Sequence, residues 1–175
     1  LASIVRRDIE ARFRGSAGGI LWLILQPALM LAVYTLVFGL VFRARWGTGG
    51  DSMAEFALVL FVGLMVFNLF AECANRAPGL ILANANYVRK VVFPLEILPC
   101  MALGSALFHF LASLAVWLLF HLAIFGVPPA TILLLPLVLL PHLLITLGAG
   151  WLLASLGVFL RDISQVVGIA TTALM

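Results

Sequence analysis

Charge is what this sequence has least of. Only 10% of its 175 residues are Asp, Glu, Lys or Arg, where soluble domains carry about 25%. With a hydrophobic share of 65%, that excludes a soluble globular domain, and the solvent for most of the chain is a bilayer. Long polar stretches are missing too, so the chain reads as one membrane domain with no soluble module attached. Lysine occurs once, at Lys90. That excludes a P-loop, whose glycine-rich turn must end in Gly-Lys-Ser/Thr, and leaves Gly15, Gly18 and Gly19 as a hinge. The two cysteines, Cys73 and Cys100, fall near the side assigned below to the cytoplasm, where a structural disulfide is not expected. There is no Gly-x-Ser-x-Gly elbow, no His-Glu pair at zinc spacing and no close pair of intramembrane carboxylates. Neither an active site nor a metal centre is therefore expected. His109 and His121 lie about 120° apart around a helix and share no face. With His142, they read as histidines at span ends or hydrogen-bonded within the bundle.

What is present is a series of uncharged apolar runs separated by short charged links. Residues 1–19 form an interfacial helix and hinge. Val5, Ile9 and Phe13 line one helical face, and Arg6, Arg7, Asp8, Arg12 and Arg14 supply its charge. Residues 20–42 are long enough for span 1, with a tolerated kink at Pro27. The loop at 43–55 leads to a shorter run at 56–71, span 2. Residues 72–96 form the longest polar link, 97–125 span 3 and 131–160 span 4, and 163–175 open a fifth span. Gly126, Pro128 and Pro129 make spans 3 and 4 an antiparallel hairpin. Pro136 and Pro141 put the regular part of span 4 near Leu139 onward, and Gly150 and Ala154, four residues apart, allow close helix contact. The runs contain no Asp, Glu, Lys or Arg, which speaks against ion-coupled transport. Tyr34, Phe38 and Phe42 recur every four residues along span 1. They are candidate translocation-path aromatics, against the plainer reading of lipid contact and an interfacial belt beside Trp46.

The basic residues flank these runs and form no stripe, so a net charge of +3 points to membrane topology and not to nucleic acid. Eight Lys and Arg residues lie in the amino-terminal helix, the 72–96 link and the link at Arg161, against two in the 43–55 loop. The amino terminus is thus expected in the cytoplasm. Leu1 is not a methionine and Met175 falls inside an apolar run, so both ends read as cut.

The chain is organised around the link at 72–96. Arg89 and Lys90, followed by Val91, Val92, Phe93, Pro94 and Pro99, predict an amphipathic segment that lies at the membrane surface and then re-enters the bilayer. Residues 86–99 (Asn-Tyr-Val-Arg-Lys-Val-Val-Phe-Pro-Leu-Glu-Ile-Leu-Pro) resemble the loop between spans 2 and 3 of bacterial ABC-2 type permeases that export polysaccharides. That family includes the membrane subunits of O-antigen, capsule and teichoic-acid exporters. Residues 7–16 (Arg-Asp-Ile-Glu-Ala-Arg-Phe-Arg-Gly-Ser) resemble its basic segment before span 1, and 159–163 (Phe-Leu-Arg-Asp-Ile) its link between spans 4 and 5.

The resemblance implies an all-α polytopic bundle of six spans, of which four and the start of a fifth are present. It implies a permease subunit that pairs as a homodimer with two separate ATPase subunits and moves a lipid-linked polysaccharide outward across the bacterial inner membrane. The chain itself then needs no cofactor, ATP and Mg being bound by the partner. The residues expected to meet the ATPase are Asn86, Tyr87, Val88, Arg89, Lys90, Phe93 and Pro94, with Arg161 and Asp162. The alternatives are a secondary transporter or channel, and a membrane scaffold without transport.

Overall fold

The computed structural model describes residues 5, 8, 21–37, 53–84, 95–160 and 162–175, and the structure below is that of these residues. Every regular element among them is helical. In chain order they are α1 (Leu21–Leu36), α2 (Met53–Arg76), a 3-10 turn (Ala77–Gly79), α3 (Leu80–Ala83), α4 (Ile97–Phe125), a second 3-10 turn (Ala130–Leu134), α5 (Leu135–Phe159) and α6 (Ile163–Leu174). Three stretches are long and apolar enough to cross a membrane: Phe56–Ala83, Ile97–Phe125 and Ala130–Phe159. α1 and α6 are shorter apolar helices.

α2 is the central element, packed against α1, α4, α5 and α6. Leu58, Phe61, Met65, Leu69 and Cys73 fall on one helical stripe and are all buried. They meet Leu31 of α1, Ala106 and Phe110 of α4 and Leu139 of α5. The opposite faces of the outer helices stay apolar and exposed, as at Leu119 (67%), Leu137 (70%) and Ile145 (66%). In water that surface would drive aggregation, and in a bilayer it is solvated by lipid tails. Helical hydroxyls bond back to their own helices, as Thr35 does to the Leu31 carbonyl and Thr146 to that of His142.

Two boundaries differ from those expected from sequence. The helix that carries the second apolar run extends beyond the last residue of that run, Ala71. α2 continues through Glu72 to Arg76, and after the turn at Pro78 the chain is helical again to Ala83. Charged residues end a span when water must solvate them, but here Glu72 and Arg76 have protein partners, as described below. Likewise α5 begins at Leu135 and not near Leu139. Pro136 sits in the first turn, where a missing N–H costs nothing, and Pro141 is accommodated inside the helix. The α4–α5 turn is as expected: Gly126 ends α4 with φ of 79°, a conformation open to glycine.

The small residues of α5 do bring helices together. Thr146, Gly150, Ala154 and Gly157 share one buried face. A Cβ on Gly150 would lie 3.4 Å from Pro99 Cβ, and one on Gly157 would lie 2.5 Å from Pro78 Cα and 2.7 Å from its carbonyl carbon. Only glycine lets the backbone of α5 reach the turn that follows α2.

Candidate functional site

α2 and α4 run antiparallel, so residues one turn apart on each line up as rungs. Glu72 and Arg76 are four residues apart on α2, as are Ser105 and His109 on α4, and the spacing puts each pair on one face. On the outer rung, Arg76 Nη2 donates to both oxygens of Asp8, at 2.9 Å (Oδ1) and 2.8 Å (Oδ2). Ser105 Oγ donates to Asp8 Oδ2 at 2.7 Å. One turn along, about 6 Å further into the bundle, Glu72 Oε2 lies 2.9 Å from His109 Nδ1. Arg76 Nη1 stands 3.9 Å from Glu72 Oε1 and joins the rungs. The side chains of Arg76, Asp8, Glu72 and His109 are only 18–24% exposed. Ion pairs this withdrawn from water are screened little, and removing one member leaves the other poorly solvated.

Val5 docks beside this seam. It packs against Leu80, Leu98, Met101 and Ala102, and its Cγ2 occupies the space 2.8 Å from where a Cβ on Gly104 would be. The amino-terminal segment is thus fastened by an apolar residue and a carboxylate, one helical turn apart, to the end of α2 and the start of α4.

The inner rung opens onto a cavity of about 660 Å³ between α1, α2 and α4, within the range typical of ligand sites. Trp22, Tyr34, Phe61 and Phe110 give it aromatic walls. Gln26, Asn68, Asn75, Glu72, His109 and Ser113 give it hydrogen-bonding groups. Asn75 also accepts a hydrogen bond from Thr171 at 3.1 Å, which ties α6 to the cavity wall.

Of the residues expected to carry function, Tyr34 lines this cavity. Asp8, expected on the interfacial helix, is held between Arg76 and Ser105. Asp162 is exposed at the start of α6, where its carbonyl accepts from the backbone N–H of Gln165 and Val166. Asn86, Tyr87, Val88, Arg89, Lys90, Phe93, Pro94 and Arg161 lie outside the described residues, as do Arg6, Arg7, Arg12, Phe13, Arg14, Phe38 and Phe42. His109 is hydrogen-bonded within the bundle. His121 sits at the span end between Trp117 and Phe125, with ring centroids 5.1 and 5.6 Å away. His142 differs: it packs near Phe70, and its Nε2 has no hydrogen-bond partner among the described residues. Among those residues no three His, Cys, Asp or Glu side chains gather closely enough to hold a metal ion.

The seam and the polar wall of the cavity were missed in the sequence. In the sequence Glu72 and Arg76 fall in the polar link at 72–96, just after the second apolar run. The available signal was two i,i+4 polar pairs facing each other across consecutive runs, Glu72 and Arg76 against Ser105 and His109.

Apolar helices of membrane length around a cavity with polar walls define a polytopic helical membrane protein. A family described as ABC-2 type transporter matches residues 1–175, and the chain belongs to it. Among similar proteins is the O-antigen export system permease protein RfbA of Myxococcus xanthus, 32% identical over 167 residues, covering 95% of this chain and 62% of that protein. Two proteins of the same description from Klebsiella pneumoniae are 28% and 27% identical over 171 residues, covering 97% of this chain and 63% of theirs. The chain thus spans somewhat under two thirds of the length of these relatives.

Proposed function

We propose that this chain serves as the permease of an ATP-driven exporter that moves a lipid-linked polysaccharide across the bacterial cytoplasmic membrane. The observation that carries this reading is the match of at least 95% of the chain to three proteins described as O-antigen export permeases. The cavity supports it. Sugars present apolar ring faces that lie well on aromatic side chains and hydroxyls that both donate and accept, and the cavity offers Trp22, Tyr34 and Phe110 together with Gln26, Asn68 and Ser113. Several such contacts, each weak, hold a polymer without trapping it.

On this reading the amino terminus is cytoplasmic and the subunit works as a homodimer. A separate ATPase subunit binds ATP and Mg and grips the segment around Tyr87, Arg89 and Lys90. In cells that lack the full-length protein, lipid-linked polymer should accumulate inside and disappear from the surface, and wild-type protein should restore it. Arg89→Glu with Lys90→Glu should insert at normal levels, export little and fail to co-purify with the ATPase. Normal surface polymer in cells without the protein would overturn the assignment.

A further inference from the structure

We infer that Asp8 and Arg76 are positioning residues that tie the amino-terminal helix to the polar end of the cavity, so that moving the helix reshapes the cavity wall. The inference rests on the transport reading for its purpose, though not for its geometry. Asp8 is the one described residue of that helix with a side-chain hydrogen bond to the spans, and it is gripped by Arg76 from α2 and Ser105 from α4. Arg76 stands beside Glu72, and Glu72 meets His109, and the last two face the cavity. The five groups form an unbroken path from a helix outside the apolar spans to the cavity wall.

The path has a direction set by charge. Arg76 stands between two carboxylates. If Asp8 is pulled away, the guanidinium loses its shorter contacts, at 2.8 and 2.9 Å, and is free to turn fully onto Glu72, which it now only approaches at 3.9 Å. Glu72 is then drawn from His109, because a carboxylate facing an unshared guanidinium forms the stronger, charge-assisted bond there. The polar end of the cavity changes shape with no change in the apolar packing of Phe61, Met65 or Phe110. A helix held only by Val5 against an apolar patch would slide without this consequence.

The test uses full-length protein in membrane vesicles, with Cys73→Ala and Cys100→Ala as background and Asn68→Cys as a thiol in the cavity wall. The rate of its reaction with a membrane-permeant maleimide reads the cavity independently of any polymer. Asp8→Asn and Arg76→Gln should each change that rate by about fivefold or more, the low end of coupling between sites. The double variant should match the single ones, since each breaks the same path. Should Asp8→Asn not accumulate, Asp8→Glu, which keeps the charge and lengthens the arm, takes its place and should shift the rate in the same direction. A maleimide rate that ignores every one of these substitutions at wild-type protein levels, or effects that simply add, would overturn the inference. A rate that responds while polymer export is normal without the protein would leave the path standing and remove only the transport reading.

Discussion

Two seams hold α2 and the turn that follows it to the rest of the bundle, and they are built on opposite principles. Towards α5 the join is made by what is missing: glycine at 157 lets two backbones approach within a distance that no side chain permits. Towards α4 and the amino-terminal helix the join is made by charge, with Asp8, Arg76, Glu72 and His109 each facing a partner. A small-residue seam is stiff because its only adjustment is to separate. A charged seam can exchange partners, because Arg76 has two carboxylates within reach. Function that needs movement belongs on the second, and the cavity opens there.

The steric seam is where the largest effect is expected. Gly157→Ala should lower the thermal stability of the detergent-solubilised protein by about 2 kcal/mol or more, as overpacking does when backbone must shift. Gly150→Ala, whose Cβ would meet Pro99 at an ordinary 3.4 Å, should be within about 0.5 kcal/mol of wild type, the usual range for changes that break no feature. Equal loss at both positions would mean that the close approach at Pro78 is not what distinguishes them.

The charged seam should follow. Arg76→Ala leaves Asp8 and Glu72 without their shared cation at sites about one fifth exposed. A loss of about 2 kcal/mol is expected, in keeping with hydrogen bonds to charged groups. Ser105→Ala removes a single bond to Asp8 and should cost about 1 kcal/mol. The smallest loss expected along this charged and polar seam, close to that of the Gly150→Ala control, belongs to Trp117→Phe, which keeps the ring and loses only the bond from Nε1 to the Leu58 carbonyl at 3.1 Å. Bonds of this kind between membrane helices average about 0.6 kcal/mol. A thermal-shift series on the purified protein ranks these substitutions directly.

The same contrast explains what was legible in the sequence. The small-residue seam is local in sequence: Gly150 and Ala154, with Gly157 beside them, show their four-residue rhythm to any reader, and they do face α4 and the turn at Pro78. The apolar runs that became α4 and α5 were legible for the same reason, since a span needs only length and the absence of charge. The charged seam joins residues 68 and 97 positions apart, Asp8 to Arg76 and to Ser105, and nothing in a linear reading pairs them. Read along the chain, Glu72 and Arg76 belong to the polar link and Asp8 to the interfacial helix, and only the fold brings the three together. The aromatic spacing that singles out Tyr34 is also local to one helix, but the polar residues that line the cavity with it come from α2 and α4 as well as α1.

The most direct measurement is whether the amino-terminal helix lies where this account puts it. Val5 Cβ is 3.6 Å from the position of a Cβ on residue 104, within the roughly 3.5–4.5 Å that a disulfide bridges. In the background free of native cysteines, Val5→Cys with Gly104→Cys should form an intramolecular disulfide in membranes on mild oxidation, read as a linked peptide by mass spectrometry. Val5→Cys with Gly63→Cys should not. A Val5 and Gly104 pair that stays as reduced as the Gly63 control would mean that the helix is not docked on α4, and the charged seam would lose its outer end.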